Sequence, residues 1–468
     1  MLAALLIAAA VARHPDPGFA VRIVKMSGDP ASASTRAHVR FCRDLGFNAL
    51  WVESWEAGAW TKKDAPDGPR VAPEFVHFAR WCKRRGLDLW VAIRPVADSS
   101  GDFVFSDPDR SRRLEAFASQ LGEKAGVRHI VLALDDAPAT LHELSDIFRY
   151  GTSAAPAHLE LTRRLAGALS PNVSLWLQGA ASSDRELGDG SGPYAKPFLA
   201  GLAELPKSVG LVWSGPEILS PKITKEGMIA AQSRLGGRPI VLHDNFPTDD
   251  LSGDDDAMAL LLPPLSGREP GIRDAVAGYV VSPALPLAGS RLTLLTIARF
   301  LEDPATYDPA TATQVAIARL AGGHPAAAIA LDTQQLEWGG ALAGLNYWPR
   351  SLLNPALAAG RLNDPAFVDS FTWTVDRYPG RMSDLAHLDD GPFRDALLGM
   401  MRRRLAIGRA MPLTIDYLRC VRNGDPESAA ILARIETLRR ETSSYADAGR
   451  VLELFLTAAS VPKGAKPP

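Results

Sequence analysis

The sequence predicts a (β/α)8 barrel followed by an α-helical C-terminal region. From residue 20 to about residue 302 one phrase repeats: a short apolar strand, a loop, an amphipathic helix, then Gly or Pro before the next strand. The strand-like segments number eight, which closes a barrel. Strands such as Ile130-Val131-Leu132-Ala133-Leu134 are apolar throughout and do not alternate, which suits a parallel sheet buried on both faces.

The expected strands are Ala20–Met26, Asn48–Glu53, Asp88–Arg94, His129–Leu134, Val173–Leu177, Gly210–Ser214, Pro239–His243 and Gly278–Val281. Between them, Phe75, Phe78, Ala79 and Cys82, and then Leu114, Phe117 and Leu121, recur at the spacing that places one apolar stripe of a helix against a sheet. Gly46, Gly86, Gly126 and Gly236 mark helix ends, where a left-handed cap is needed. An open doubly wound sheet is the alternative, but the G-x-G-x-x-G that binds phosphate after its first strand is absent. Beyond Asp303 the strand signal stops, and Pro365–Tyr378, Phe393–Cys420 and Pro426–Phe455 carry helical periodicity. The expected organisation is a barrel over 18–302, a helical domain over 303–461 and a disordered tail over 462–468.

A chain of 468 residues with 46% apolar and 22% charged residues has ample material for a core and no apolar run long enough for a membrane span. A formal net charge of -2 without a concentrated basic face gives no electrostatic reason to bind nucleic acid or anionic lipid, and suits a neutral small molecule or a sugar. Leu2–Ala12 is apolar, ends Ala10-Val11-Ala12 and precedes Arg13-His14-Pro15, so residues 1–12 read as a signal peptide with an A-x-A cleavage site and the protein as secreted or periplasmic; a frayed apolar terminus is the alternative. Cys42, Cys82 and Cys420 are too few for a disulfide framework and lack metal-ligand spacing, and Cys42 and Cys82 fall on apolar helix faces.

In such a barrel chemistry belongs to the C-terminal ends of the strands and the loops after them. That narrows the search to Lys25 and Ser27 after the first strand, Glu53, Trp55 and Glu56 after the second, Arg94 and Asp98 after the third, and Asp135 and Asp136 after the fourth. Gln178 follows at the fifth, Trp213 and Ser214 at the sixth, His243, Asp244, Asn245, Asp249 and Asp250 at the seventh, and Ser282 at the eighth. Adjacent carboxylates raise at least one pKa, and a carboxyl kept protonated can donate to a glycosidic oxygen while its ionised neighbour supports positive charge. An Asp-Asp pair is otherwise a pair of solvated loop acids or helix caps; its place at a strand end favours chemistry. The stretch Asp244–Asp250 is a second polar cluster that also reads as turn chemistry. Asp254-Asp255-Asp256 lacks the ligand alternation of a calcium loop. His243 is either a satisfied barrel-mouth histidine or a substrate contact, and Trp213 and Trp55 are either core aromatics or stacking platforms for a sugar.

Taken together, Ile130–Asp136 (IVLALDD), Leu211–Ser220 (LVWSGPEILS), Val241–Asp250 (VLHDNFPTDD) and Gly278–Pro283 (GYVVSP) resemble, in order and spacing, glycoside hydrolase family 84, the retaining β-N-acetylglucosaminidases that include O-GlcNAcases. Trp90–Asp109 is similar to the third-strand region of that family, and the resemblance covers roughly residues 88 to 302. It implies substrate-assisted catalysis, in which the sugar's 2-acetamido carbonyl attacks the anomeric carbon. Asp135 would polarise the acetamido N–H, and Asp136 would protonate the leaving oxygen and then activate water. Asn245 and Asp250 would line the sugar subsite, with Asp250 accepting from the O4 and O6 hydroxyls; His243, Trp213 and Ser282 complete the expected substrate contacts, and no metal or organic cofactor is required.

The chain also departs from the family. Lys25-Met26-Ser27-Gly28 stands in place of G-F-Y-G after the first strand, and the Trp55-Glu56 neighbourhood in place of a lysine, for which Lys62 or Lys63 could substitute only by reaching in from a loop. Gln178-Gly179-Ala180-Ala181 occupies the region of a tyrosine, His243 the place of a tryptophan, and Ser282 that of an asparagine. In the family these positions grip the O3 side and the acetamide. The sequence reading is a glycosidase acting on a β-linked N-acetylhexosamine; its rivals are a glycosidase with another sugar and a non-catalytic carbohydrate-binding protein. The D-x-x-D-x-D-x-E signature of chitinase-type barrels is absent.

Overall fold

The computed structural model describes residues 18–26, 32–53, 70–96, 103–248, 262–283, 287–339 and 376–441. The expected signal peptide, the tail, and Ser27, Trp55, Glu56, Lys62, Lys63, Asp98, Asp249 and Asp250 lie outside these residues.

Eight parallel strands close a barrel in sequence order: β1 (Arg22–Met26), β2 (Ala49–Glu53), β3 (Asp88–Ile93), β4 (His129–Ala133), β5 (Ser174–Gln178), β6 (Gly210–Trp213), β7 (Ile240–Asp244) and β8 (Gly278–Val281). The ring is completed by β1 on β8, with Ile23 opposite Val280. Each strand lies within two residues of its expected bounds. Helices α1 (Ala33–Asp44), α2 (Pro73–Lys83) and α3 (Pro108–Ala125) carry the first three returns. Their buried faces include the stripes read from the sequence: Phe75, Phe78, Ala79 and Cys82 on α2, and Leu114, Phe117 and Leu121 on α3. Asp107 caps α3 by accepting from the amides of Asp109 and Arg110, and Gly126 ends it in the left-handed conformation at φ 69°. Cys42 and Cys82 are buried, as their helix faces predicted.

Alternation along the strands decides what reaches the barrel axis. Ile23, Trp51, Trp90, Val131, Trp176 and Val241 belong to one interior cluster, so residues two further along each strand also point inward. Three tryptophans fill the floor. Gly210 makes this possible, because a Cβ there would collide with the Trp176 ring. Burying one such ring removes about 200 Å² from water, on the order of 5 kcal/mol before entropy is counted, so Trp90→Ala would be among the most disruptive single changes. Continuing the same phase upward brings Lys25, Glu53, Arg94, Asp135, Gln178, Ser214, His243, Asn245 and Ser282 to the C-terminal mouth.

The chain divides into two compact units. One comprises the residues up to Phe246 with Leu265–Pro283 and Leu294–Pro309, and holds the barrel. The other comprises Pro247–Pro264, Ala284–Thr293 and the chain from Ala310 onward, and its described elements are helical, including Pro325–Gly339, Gly391–Asn423 and Ser428–Glu441. Within it, Asp390 accepts the Phe393 amide at 3.0 Å, fixing the start of the long helix, and is ion-paired with Arg291. No described helix is long and apolar enough to cross a membrane.

Candidate active site

Asp135 and Asp136 occupy the central positions of a turn closed by the Ala137 amide donating to Leu134 O at 3.1 Å. Leu134 is still held to the sheet, its amide donating to Gln178 O at 2.8 Å. The pair therefore leaves the barrel wall on a fixed backbone. Asp135 continues the inward phase and its side chain is 18% exposed; Asp136 sits one step beyond the ladder and is 62% exposed.

Both acids converge on one guanidinium. Arg94, just past β3 and 7% exposed, donates from Nη1 to Asp135 Oδ1 at 2.9 Å and to Asp136 Oδ2 at 2.5 Å. Its Nη2 reaches Asp135 Oδ2 at 3.3 Å, and its Nε donates to Glu53 Oε2 at 2.7 Å. Glu53 also accepts from Trp51 Nε1 at 3.2 Å and pairs with Lys25 Nζ at 3.3 Å. Burial pushes the Glu53 carboxyl up, but the charges of Lys25 and Arg94 outweigh it and hold the group at about 2. Burial would lower Arg94; the carboxylates of Asp135 and Glu53 instead raise it above its ordinary value, so it stays a cation.

Asp135 is raised chiefly by burial, with Arg94 pulling it down and Asp136 pushing it up. This changes the expectation that mutual repulsion alone separates the two acids: a cation stands between them, and desolvation is the larger influence on Asp135.

The other side of Asp135 leads into a neutral chain. Gln178 Nε2 donates to Asp135 Oδ2 at 3.0 Å and lies 3.4 Å from His243 Nδ1. A carboxylate can only accept, so the amide must present its N–H there. His243 Nδ1 is then an acceptor, and its Nε2–H donates to Ser282 Oγ at 2.9 Å. The ring stacks on Trp51 at 5.3 Å, and burial together with the charge of Lys25 pushes it down to about 3, so it is neutral. Gln178 Oε1 is buried with no hydrogen-bond partner, an acceptor left over for a donor from outside the protein.

At the β7 end, Asn245 donates from Nδ2 to Ile218 O at 2.9 Å and to Ser214 Oγ at 3.4 Å, which ties it to the loop after β6. Asp244, by contrast, takes the outward phase. Arg268 grips both of its oxygens at 2.8 Å, Tyr279 donates its hydroxyl to Oδ2, and the Phe246 amide donates to Oδ1 at 3.3 Å.

The structure thus gathers Asp135, Asp136, His243 and Ser282 into one hydrogen-bonded array, with Asn245 two residues beyond His243. Trp213 is a correction. Val212 belongs to the interior cluster, so Trp213 faces away from the axis and is 2% exposed, a core aromatic on which no sugar can stack. His243 and Ser282 are 2% and 4% exposed and spend their polar atoms on each other and on Gln178, which makes them supports of the site rather than open contacts. Arg94 appeared in the sequence only as one candidate among many; its i+4 place after the interior Trp90 was the available signal, and its three partners were not. A cleft of about 470 Å³ bordered by Asp88, Arg128, His129 and Ser174 lies at the opposite, N-terminal end of the barrel, where residues serve stability. Among the described residues no three His, Cys, Asp or Glu side chains are placed to hold a metal ion.

Paired carboxylates at a strand end of a parallel barrel suit glycoside hydrolysis, in which one carboxyl carries the proton and another supports the developing positive charge. A sequence model of the β-N-acetylglucosaminidase (NAGidase) family matches residues 69–333, more than half of the chain. The chain belongs to that family, the one the motifs resemble, glycoside hydrolase family 84. Among solved structures, its fold is similar to that of an O-GlcNAc hydrolase mutant from Thermobaculum terrenum, with TM-score 0.62 and 18% identity, covering 94% of each chain. It is also similar to CpGH84B, with TM-score 0.56 and 18% identity, covering 95% of this chain and 77% of the other.

Proposed function

We propose that this glycosidase cleaves β-linked N-acetylhexosamines with retention, by participation of the substrate's own acetamide. The single observation that carries the reading is the unequal environment of the two adjacent acids: Asp135 is largely buried with both oxygens hydrogen-bonded, while Asp136 is 62% exposed at the mouth. A fixed, buried carboxylate suits an acceptor for the acetamido N–H, drawing electron density onto the carbonyl oxygen as that oxygen attacks the anomeric carbon. An exposed neighbour suits the proton carrier. Asp136 gives its proton to the departing glycosidic oxygen as the oxazoline forms, then takes one from the water that opens it. Asn245 and Asp250 are the proposed sugar contacts.

Aryl β-glycosides of N-acetylglucosamine, N-acetylgalactosamine and glucose test this together with Asp135→Asn and Asp136→Asn. The expected result is turnover of N-acetyl sugars only, and a fall of roughly 10²–10⁴-fold in either variant. Glucoside turnover equal to that of the N-acetyl sugars would remove acetamide participation from the mechanism. Binding without turnover by the wild-type protein would instead support a carbohydrate-binding protein.

A further inference from the structure

A general acid must be free to hold a proton, yet here Asp136 accepts from a guanidinium that also serves Asp135 and Glu53. The three contacts are not equivalent. Glu53 is 13% and Asp135 18% exposed, so water replaces neither contact cheaply, whereas Asp136 is 62% exposed and gives up little on leaving. Arg94 itself is fixed from below by Glu53, which is braced by Trp51 and Lys25.

We propose that Arg94 is a positioning residue of this glycosidase: its guanidinium, anchored on Glu53, keeps Asp135 an oriented carboxylate and holds Asp136 only until a bound glycoside takes its place. The proposal rests on the roles given to Asp135 and Asp136 above. Among the described residues, the charges acting on Asp135 come from Lys25 of β1, Glu53 of β2, Arg94 after β3 and Asp136 beside it; neutral Gln178 of β5 touches it and neutral His243 of β7 lies behind Gln178, while at the same level β6 and β8 present Ser214 and Ser282. Of these groups only Arg94 is both cationic and in direct hydrogen-bond contact with Asp135. Burial works against the charged form of Asp135, and Arg94 is the first influence opposing it. A neutral Asp135 keeps one accepting oxygen but loses the negative charge that draws on the acetamido N–H, and its own O–H competes for the carbonyl oxygen that must attack, which would oppose participation.

Activity fails on the acid side as Asp135 takes up a proton, and removing the cation lets it do so at higher pH. In Arg94→Gln, kcat/KM for an aryl β-N-acetylglucosaminide should drop at least about tenfold near neutrality, with the acid limb of its pH profile moved up by roughly one unit or more. Arg94→Lys keeps the charge but cannot span three carboxylates, so it should lower kcat while leaving the acid limb near the wild-type position. An acid limb unmoved in Arg94→Gln, whatever the loss of rate, would overturn the proposal in favour of a purely structural role. If Arg94→Gln does not fold, a limb displaced in folded Arg94→Lys would overturn it equally. Asp135→Asn separates the two readings. Loss there with an unmoved limb in Arg94→Gln defeats only the inference about Arg94, and full activity in Asp135→Asn defeats the assignment beneath it.

Discussion

Two arginine–aspartate clusters stand at the C-terminal rim of the same barrel, built from the same residue types, and they differ in what they leave open. Around Asp244 everything is closed: Asp244 and Arg268 are 2% and 6% exposed, the guanidinium grips the carboxylate with two bonds, and Tyr279 and the Phe246 amide take the remaining lone pairs. Around Arg94 one cation faces three carboxylates, Lys25 supplies a second positive charge at Glu53, and Asp136 reaches water. A saturated buried pair fixes a loop, here the one bearing Asn245. An unsaturated array with an exposed member can exchange a partner for a ligand. The number of partners and the exposure, more than the residue types, tell scaffold from site.

Neutralising one acid in each cluster should have opposite consequences. Asp244→Asn should cost about 3–5 kcal/mol of unfolding free energy, because Arg268 is left a buried, uncompensated cation. Activity per folded molecule should stay within a few-fold of wild type. Asp136→Asn should do the reverse, changing stability by less than about 1 kcal/mol at its exposed position while lowering turnover roughly 10²–10⁴-fold. Denaturant titration with kinetics on the same samples checks both. An Asp244→Asn protein of wild-type stability would show that closure around this carboxylate is not what holds the rim.

A smaller effect sharpens the contrast between charged and neutral halves of the mouth. His243 is held neutral down to about 3, so between its ordinary value and that point the unfolded chain binds a proton that the folded one does not. Stability is therefore present in full above the ordinary histidine range and falls as the pH drops through it toward about 3. His158, buried with a similarly lowered value, adds to the slope. His243→Gln should flatten the dependence of unfolding free energy on pH by up to roughly 1.4 kcal/mol per unit across that window. An unchanged slope would mean that the imidazole is not desolvated as described.

Much of this was legible in the sequence, for a physical reason. Parallel strands buried on both faces need apolar centres, so Ile130–Leu134 and the apolar middles of the other strands stand out, and the glycines after the helices mark where returns end. Asp135 and Asp136 were legible because two adjacent carboxylates, costly to hold together, stand at a strand end, where such a barrel places its chemistry. Alternation could have carried the reading further: counting by twos from Trp51, Trp90 and Trp176 arrives at Glu53, Arg94 and Gln178, and the same count from Val212 passes over Trp213. What could not be read is pairing between distant residues. Arg94 reaches Asp135 across 41 positions, and Tyr279 reaches Asp244 across 35, and neither spacing has a periodicity to betray it. Side-chain direction also decided the fate of His243 and Ser282, whose strand-end positions were visible while their mutual hydrogen bond was not.

That hydrogen bond gives the smallest and most discriminating prediction. If Ser282 supports His243, then Ser282→Ala removes the acceptor for Nε2–H and should cost about 1 kcal/mol, the scale of one neutral buried bond. The tautomer should not change, because Gln178 must keep its N–H toward the Asp135 carboxylate and so demands an acceptor at His243 Nδ1. Nitrogen chemical shifts of the imidazole would report Nε2–H in both proteins, and kcat/KM should move by less than about threefold, within what one lost neutral hydrogen bond explains. A loss comparable to that of Asp136→Asn would place the Ser282 hydroxyl on the sugar instead, and would move the boundary between support and site across β8.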